Sequence, residues 1–258
     1  MRRIGLIVAR GMLVGAVCLP VGCADRDLMR ESIRAASQRA ENTRATRAAL
    51  ELEYPGYKGL SFALLFDKDQ QEVIHVHSEV EYKGTEPLTD GRFGGAMRFA
   101  DGAIIRIKPF LLADNGTYAL WFRFLPDANL KKEVRVFDAN GFTIMILNGQ
   151  LRAVFCDMDK MRVLSPNRKV KAGEWSHVAV TWGNGNCTFY VNGERAKTAN
   201  FSGQPRWAVR TLVLGARFTG RGREFSGDMD EICVYDRELK HGEILALFRK
   251  GLNYSDTK

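Results

Sequence analysis

The sequence predicts an all-β fold in which two antiparallel sheets pack face to face, over residues 57–258 of a 258-residue chain. The first observation behind this prediction is a series of seven Asn-Gly or Asp-Gly dipeptides. These pairs favour the positive φ angles that tight hairpin turns require. They lie at 90–91, 101–102, 115–116, 140–141, 148–149, 184–185 and 192–193.

The second observation is a set of short runs, rich in β-branched and aromatic residues, between these turn signals. Many short strands separated by turns are typical of a sandwich or jelly roll. The predicted strands are 103–107, 118–124, 142–147, 151–155, 176–182, 187–191, 211–214 and 231–235. One helix is predicted over 240–249, because Ile244, Leu247 and Phe248 form an apolar stripe and Gly251 follows as a stop signal.

Residues 1–23 are predicted to be an export signal. Arginines at positions 2, 3 and 10 precede an uninterrupted apolar run, 11–22. This run is too short to span a bilayer but suits the core of a signal peptide. Val21-Gly22-Cys23 resembles a bacterial lipobox, in which the cysteine becomes the lipidated first residue of the mature protein. Pro20 departs from that motif, which usually has Leu there.

Two other interpretations of this segment stay open: ordinary cleavage after Ala24, and an uncleaved signal anchor. The lipobox is the preferred interpretation. It predicts an exported protein in the periplasm or at the cell surface, anchored to the membrane by a lipid on Cys23.

Residues 24–56 are predicted to form a helical or partly disordered stalk. The stretch 25–53 has six Arg, six acidic residues and no Gly or Pro, which favours helix, but its large apolar residues are sparse. A helix that binds a partner is the alternative. Tyr54-Pro55-Gly56 is the expected end of the stalk.

Charge and cysteine content exclude some classes of protein. The formal net charge is +8, but no cluster of five Lys or Arg occurs, so we expect no nucleic-acid binding. Cys156, Cys187 and Cys233 are an odd set without CxxC spacing, which argues against a zinc site. Three free thiols are expected, with a single bridge as the alternative.

Three segments of the module resemble laminin-G-like jelly rolls of the concanavalin A-like lectin/glucanase superfamily. They are Gly91–Phe99, the pair Gly173–Thr181 and Phe189–Gly193, and Phe225–Leu239, and they occur in the order found in that family. Two positions depart from the family pattern. Lys240 stands where a Ser helix cap is usual, so we expect a weaker helix start. Ser176 replaces a His that often precedes the His retained here as His177.

The resemblance implies two sheets, one of them curved. In lectin relatives the concave face binds carbohydrate, and other relatives bind proteins, often with calcium at the rim. We therefore expect a non-catalytic module that binds a glycan or a protein at the bacterial envelope. The alternatives are a structural module of an envelope complex without a sugar site and, less favoured, a glycoside hydrolase.

Glucanases on this scaffold place three carboxylates along one strand, in a Glu-x-Asp-x-x-Glu pattern. The nearest match here has Asp228 and Asp230 but Cys233 in the third position. This substitution predicts that the chain is not an enzyme.

Calcium is the one cofactor that the resemblance suggests, since hard cations take oxygen ligands from loops and strand ends. Asp67 and Asp230 are the candidate ligands, because the first and last strands of this fold could bring them together. His75 and His77 share a strand face, but no further ligand for a transition metal accompanies them. Isolated acidic residues in turns also serve local hydrogen bonds, and that interpretation stays open.

Candidate ligand-binding residues are predicted on the strand faces opposite the core, or in loops. They combine aromatic and planar polar groups, and they are Trp121, Arg123, His177, Tyr190, Asn192 and Trp207. Apolar residues alternate with the strand members, so the two sets separate by the two-residue period of a strand. A core position for Trp121, a structural hydrogen bond at His177 and an edge-capping role for Trp207 are the alternatives.

Overall fold

A computed structural model describes residues 55–67, 73–74, 78–110, 112–157, 160–201 and 211–251. These residues belong to one compact unit, Arg47–Lys258. The predicted signal with Cys23, nearly all of the predicted stalk, the pair His75 and His77, and Trp207 lie outside the described residues.

The described residues form fourteen strands. They are β1 (Leu60–Leu64), β2 (Val73–Ile74), β3 (Glu79–Phe93), β4 (Gly95–Lys108), β5 (Gly116–Phe124), β6 (Val134–Asp138), β7 (Phe142–Leu147), β8 (Gln150–Asp157), β9 (Lys160–Leu164), β10 (Ser176–Gly183), β11 (Asn186–Val191), β12 (Glu194–Asn200), β13 (Leu212–Leu214) and β14 (Gly227–Tyr235). A short 3-10 turn at Pro55–Tyr57 precedes them, and the helix α1 (His241–Lys250) follows.

The strands pair in the order β12-β11-β10-β5-β14-β4-β13-β6-β7-β8-β9, with β1 on β14, β2 on β1 and β3 on β4. Every pairing is antiparallel, as predicted. This path folds over on itself, and one apolar cluster lies between its two halves. The half β12-β11-β10-β5-β14 is called here the first layer of the sandwich, and the half β13-β6-β7-β8-β9 is called the second layer.

The core follows from the two-residue period of the strands. On β5, Leu120 and Phe122 point into the cluster between the layers, and on β10 Val178 and Val180 do the same. The alternate residues Ala119 and Ala179 face outward and belong to a second apolar cluster beneath α1. The predicted separation of the two strand faces is therefore confirmed.

Strand β4 passes from one layer to the other. Its first half pairs with β14 and its second half with β13. Between these halves the pairing with β3 skips several residues of β4: Lys83 pairs with Ile104, but Thr85 pairs with Phe99. Gly84 and Gly102, which lie at this irregularity, adopt φ angles of 67° and 76°. The predicted turn at 101–102 is thus a bulge at a corner of the sandwich, because positive φ there bends the strand instead of reversing it.

Hairpin turns do form at several of the predicted dipeptides. Asn148-Gly149 joins β7 to β8 with φ angles of 52° and 73°, and Asn184-Gly185 joins β10 to β11 with 49° and 79°. These values match the two positive φ angles of a type I′ turn. The local residue types therefore fix these two registers.

Helix α1 begins without a side-chain cap from Lys240. Instead, the Glu243 carboxylate accepts the Lys240 backbone N–H at 2.7 Å and the Arg237 guanidinium at 2.7 Å. This reciprocal bond supplies half of a capping box, which compensates for the missing Ser. No helix among the described residues is long and apolar enough to cross a membrane.

Candidate functional site

Helix α1 covers the outer face of the first layer, where several of the candidate ligand residues lie. Phe248 stacks on Trp121 with ring centroids 5.3 Å apart, and His177 lies 5.2 Å from the same indole. Trp121 and His177 are only 2% and 1% exposed, and Tyr190 is buried against His241. The helix therefore covers the face on which these three side chains were predicted to meet a ligand, and ligand contact by them stays a prediction.

The covered face encloses polar atoms without partners among the described residues. Nε1 of Trp121 and Nδ1 of His177 are buried and accept or donate no hydrogen bond. Burial lowers the pKa of His177 to about 3, so its ring is neutral at pH 7. The backbone of His177, unlike its ring Nδ1, has a hydrogen-bond partner: its N–H donates to Oδ1 of Asn192 at 2.9 Å.

Asn192 and Arg123 differ from the buried three in their exposure. Asn192 is exposed, but its φ of 51° and its bond to His177 place it in the β11–β12 turn as a structural residue. Arg123 is partly exposed and stacks on Trp175 at 4.7 Å. Ligand contact by either residue stays a prediction.

Asp228 is clamped between two arginines. Its oxygens accept bonds from Arg98 Nε at 2.8 Å and from Arg123 Nη2 at 2.8 Å, and its side chain is only 1% exposed. Such a charge-assisted pair of contacts satisfies a buried carboxylate. The first carboxylate of the glucanase-like pattern is therefore part of a structural ion-pair network.

The second carboxylate, Asp230, holds the loop between β3 and β4. Its Oδ2 accepts the backbone N–H groups of Arg92 at 2.8 Å and Phe93 at 3.0 Å, and its Oδ1 accepts that of Glu231 at 2.7 Å. Burial raises the pKa of Asp230 to about 7, and the Asp67 charge acts in the same direction, while the three N–H donors oppose the shift.

Asp67, which follows β1 in the chain, holds the same loop. Its Oδ1 accepts the Gly95 N–H at 2.8 Å, and a Cβ at Gly94 would lie only 2.1 Å from that oxygen. The expected approach of Asp67 to Asp230 is thus present, with backbone amides as the partners of both carboxylates. No group of three acidic, His or Cys side chains suited to a metal occurs in the described ranges. Calcium binding by the pair stays a prediction, on a donor set smaller than the six to eight oxygens Ca²⁺ usually takes.

Two cysteines of the described residues, Cys187 and Cys233, are buried thiols outside any disulfide, and Cys156 is partly exposed. The expectation of three free thiols stays a prediction. Burial raises the pKa of the Cys233 thiol well above its ordinary value, which makes it a packing residue and a poor nucleophile.

An open groove, of about 410 Å³, lies on the outer face of the second layer. Its floor is formed by outward residues of β6, β7 and β8 and by Met161 and Val163 of β9, and its wall by the loop 217–223 that precedes β14. We call it the outer groove; the floor and wall residues that matter below are Arg135, Met145, Arg152, Val154, Arg217 and Arg223.

Sequence reasoning missed the outer groove, although a signal for it was present. In 142–147 and 151–155 every second residue faces the core, so Met145, Arg152 and Val154 were identifiable as outward residues. The missing information was which of the outward faces the helix would cover. Only the three-dimensional position of α1 decides this.

Comparison with known proteins fits this architecture. A family model described as the concanavalin A-like lectin/glucanases superfamily matches residues 96–245, more than half of the chain. The chain belongs to this superfamily. No curated protein sequence matches it.

Solved structures similar to this concanavalin A-like module include toxin binding domains. The receptor binding domain of botulinum neurotoxin D is 14% identical with a TM-score of 0.61, and covers 74% of this chain and 52% of its own. The binding domain of Paraclostridial Mosquitocidal Protein 1 is 18% identical with a TM-score of 0.60, over 74% and 52%. The chain spans about half the length of these structures, and identities this low show a shared fold.

Proposed function

We propose that this concanavalin A-like module is a non-catalytic binding module and that it binds a glycan in the outer groove. One observation carries the proposal: the outer face of the first layer is closed by α1, whereas the outer face of the second layer holds an open groove. A concave site with apolar walls and a few polar groups is the usual form of a small-ligand site.

The state of the acidic residues supports binding without catalysis. A glycosidase needs two carboxyl groups that reach the scissile bond from either side. In strand β14, which carries the glucanase-like pattern, Asp228 is sealed by two arginines and Asp230 by three backbone amides. Both are inaccessible to a sugar in this conformation.

Membership of the superfamily supports a sugar ligand only at the level of fold. A similar structure, 14% identical with a TM-score of 0.59, is the botulinum neurotoxin serotype D ligand binding domain in complex with N-acetylneuraminic acid. That domain is twice the length of the matched region, so its ligand belongs to a larger protein. The groove itself is the stronger support.

A glycan array probed with the full chain in detergent tests the proposal. The variant Val154→Trp places a large side chain in the groove, and we expect it to abolish the binding seen for the parent chain. Lys197→Trp on the exposed outer strand β12 is the matched control and should bind normally. Absence of any glycan binding by the parent chain, or binding that survives Val154→Trp, contradicts the proposal.

A protein ligand is the second candidate, and a separate observation favours it. Met161 and Val163 on the edge strand β9 are 68% and 45% exposed, which is unusual for large apolar residues on an unpaired edge. If this edge binds an envelope protein, Met161→Lys should abolish in-cell cross-linking to that protein. Met161 also lines the outer groove, so glycan binding is to be measured in the same variant and not assumed to be unchanged. Cross-links that are unchanged in the variant would contradict it.

The site of action follows from the N-terminal segment. We propose that the module faces the periplasm or the cell surface and is anchored by a lipid on Cys23, as the lipobox-like Val21-Gly22-Cys23 suggests. Mass spectrometry of the mature N-terminus should find an acylated Cys23. A free Asp25 N-terminus would show ordinary cleavage after Ala24 instead.

A further inference from the structure

The floor of the outer groove carries a row of side chains that crosses three strands. Arg135 on β6 lies opposite Met145 on β7, and Met145 lies opposite Arg152 on β8. Directly opposed residues on one sheet face have Cβ atoms about 4.5–5.5 Å apart. Two guanidinium groups therefore flank one apolar side chain on the groove floor.

The wall adds two further arginines. The loop 217–223 is fixed to β6 because the Arg135 N–H donates to the Arg223 carbonyl at 2.8 Å. Within the loop, Gly220 N–H donates to the Arg217 carbonyl at 2.6 Å. Both Arg217 and Arg223 line the groove, so four arginines surround the space.

The acidic residues at the groove leave part of this positive charge uncompensated. Glu133 is shared: it pairs with Arg135 at 2.6 Å and with Arg223. Asp138 is only 4% exposed and is used internally, as an acceptor for Asn140 N–H and for the Thr143 hydroxyl. Neither carboxylate forms an ion pair with Arg152 or Arg217, and no ion pair joins either arginine to another side chain that the structure describes.

Burial constrains how Arg152 presents its donors. Its Nε is sealed from solvent without an acceptor, and the same holds for Arg135. A ligand can therefore reach only the N–H donors on the two terminal nitrogens of each guanidinium. Two parallel N–H groups on such a fork match the two oxygens of a carboxylate or of a sulfate.

We propose that the outer groove selects glycans that carry an anionic group, a carboxylate or a sulfate, and that Arg152 and Arg217 bind that group. The inference rests on the proposed function, because it takes the ligand to be a glycan in this groove. Met145 and Val154 supply the apolar surface against which the C–H face of a sugar packs, and the two unpaired arginines supply the selectivity. An unpaired guanidinium near a partly buried surface attracts an anion more strongly than it would in bulk water.

Matched glycan pairs separate this inference from the proposed function. Titration calorimetry of the full chain in detergent would compare sialyllactose with lactose, oligogalacturonate with a neutral galactan oligosaccharide, and a sulfated galactan oligosaccharide with the same neutral galactan. We expect at least one acidic glycan to bind about 10-fold more tightly than its neutral counterpart, because it adds a charge-assisted hydrogen bond.

Two arginine variants locate the effect. Arg217→Gln is in an exposed loop and should fold normally; it should weaken the acidic glycan about 10-fold and leave the neutral one unchanged. Arg152→Gln should act in the same direction, with circular dichroism as its check of folding. Arg221→Gln is the control in the same loop, because Arg221 is exposed and does not line the groove.

Three results would overturn the inference. Equal affinity for neutral and acidic glycans, both lost in Val154→Trp, would keep the proposed function and refute the selectivity. Acidic-glycan binding that is unchanged in both arginine variants would refute the role of these residues. Binding of duplex DNA or a phosphopeptide in preference to every glycan would refute both the inference and the proposed function.

Discussion

Phe248 of α1 lies nearly parallel to the indole of Trp121, with 15° between the ring planes and 5.3 Å between the ring centroids. This stack closes the outer face of the first layer, together with the buried Ile244 and Leu247. The helix is thus held to the sheet by this aromatic pair, by the contact of His241 with Tyr190 and by a short apolar stripe. That arrangement makes the pair a sensitive point for the closure of the face.

The first prediction concerns this stack. Phe248→Ala should lower the free energy of unfolding by about 2 kcal/mol, less than a fully buried Phe→Ala, because Phe248 is partly exposed. Urea denaturation followed by tryptophan emission measures the loss, and a red shift of the native emission reports exposure of Trp121. Arg249→Ala, exposed in the last turn, is the control and should change neither quantity. A native emission unchanged in Phe248→Ala would show that the helix stays closed without the stack.

The second prediction compares two glycines with positive φ. Gly94 has φ 84° and an added Cβ would meet Asp67 Oδ1 at 2.1 Å, whereas Gly149 has φ 73° and open space around it. Gly149→Ala should cost about 1 kcal/mol from backbone strain alone. Gly94→Ala should cost at least twice as much, because the carboxylate must also move. Equal losses in urea denaturation would mean that the Asp67 contact does not constrain the loop.

The third prediction follows from the raised pKa of Asp230. Because the folded-state pKa of about 7 exceeds the unfolded value of 3.8, the folded chain binds the proton more tightly. The contribution of this group to the free energy of unfolding should therefore fall as the pH rises from 3.8 to about 7 and level off above that range. Asp230→Asn should remove this slope. A slope of the same size in the variant would assign the titration to another group.

The fourth prediction concerns His177, whose titration has the opposite sign. Its pKa is about 3 in the folded chain and 6.5 when unfolded, so the unfolded state gains the proton first on acidification. Stability should fall as the pH drops below 6.5, by up to about 1.4 kcal/mol per pH unit for this single group. His177→Gln should show a shallower acid limb of the stability curve between pH 4 and 6. NMR offers an independent check, since the His177 ring signals should not move above pH 4.5.

The fifth prediction addresses calcium. The oxygens of Asp230 and one oxygen of Asp67 already accept backbone N–H groups, so we expect the loop to be stable without a cation. EDTA should therefore leave the melting temperature of the chain unchanged, and millimolar CaCl₂ tests whether the pair binds a cation in addition. A rise in melting temperature with CaCl₂ that disappears in Asp67→Asn would establish the pair as calcium ligands.

The strands could be predicted because each carries its own local signal. The alternation in 118–124 and the Asn-Gly pairs at 148–149 and 184–185 act over a few residues, so they survive without tertiary information. The long strand β3 was missed because its residues are mostly exposed and polar, including Lys83, Glu86 and Asp90. Its pairing with β4, and not its own composition, makes it a strand.

The site was harder to predict than the fold, and Trp121 shows why. Its outward position on β5 followed from the two-residue period, but its burial depends on Phe248, which is far away in the sequence. Likewise, the positive charge at Arg152 is informative only because Glu133 and Asp138 are engaged elsewhere. Such non-local pairings are not written in any short segment.

The position of β14 has a consequence for how the chain reaches its fold. This strand comes from residues 227–235, yet it pairs with β5 on one side and with both β1 and β4 on the other. Strand β5 cannot be joined through β14 to β1 and β4 until those late residues have been synthesised. During translation, β1, β4 and β5 therefore lack the neighbour that β14 later provides. We expect the sandwich to close late, and we expect a truncation before residue 227 to prevent closure.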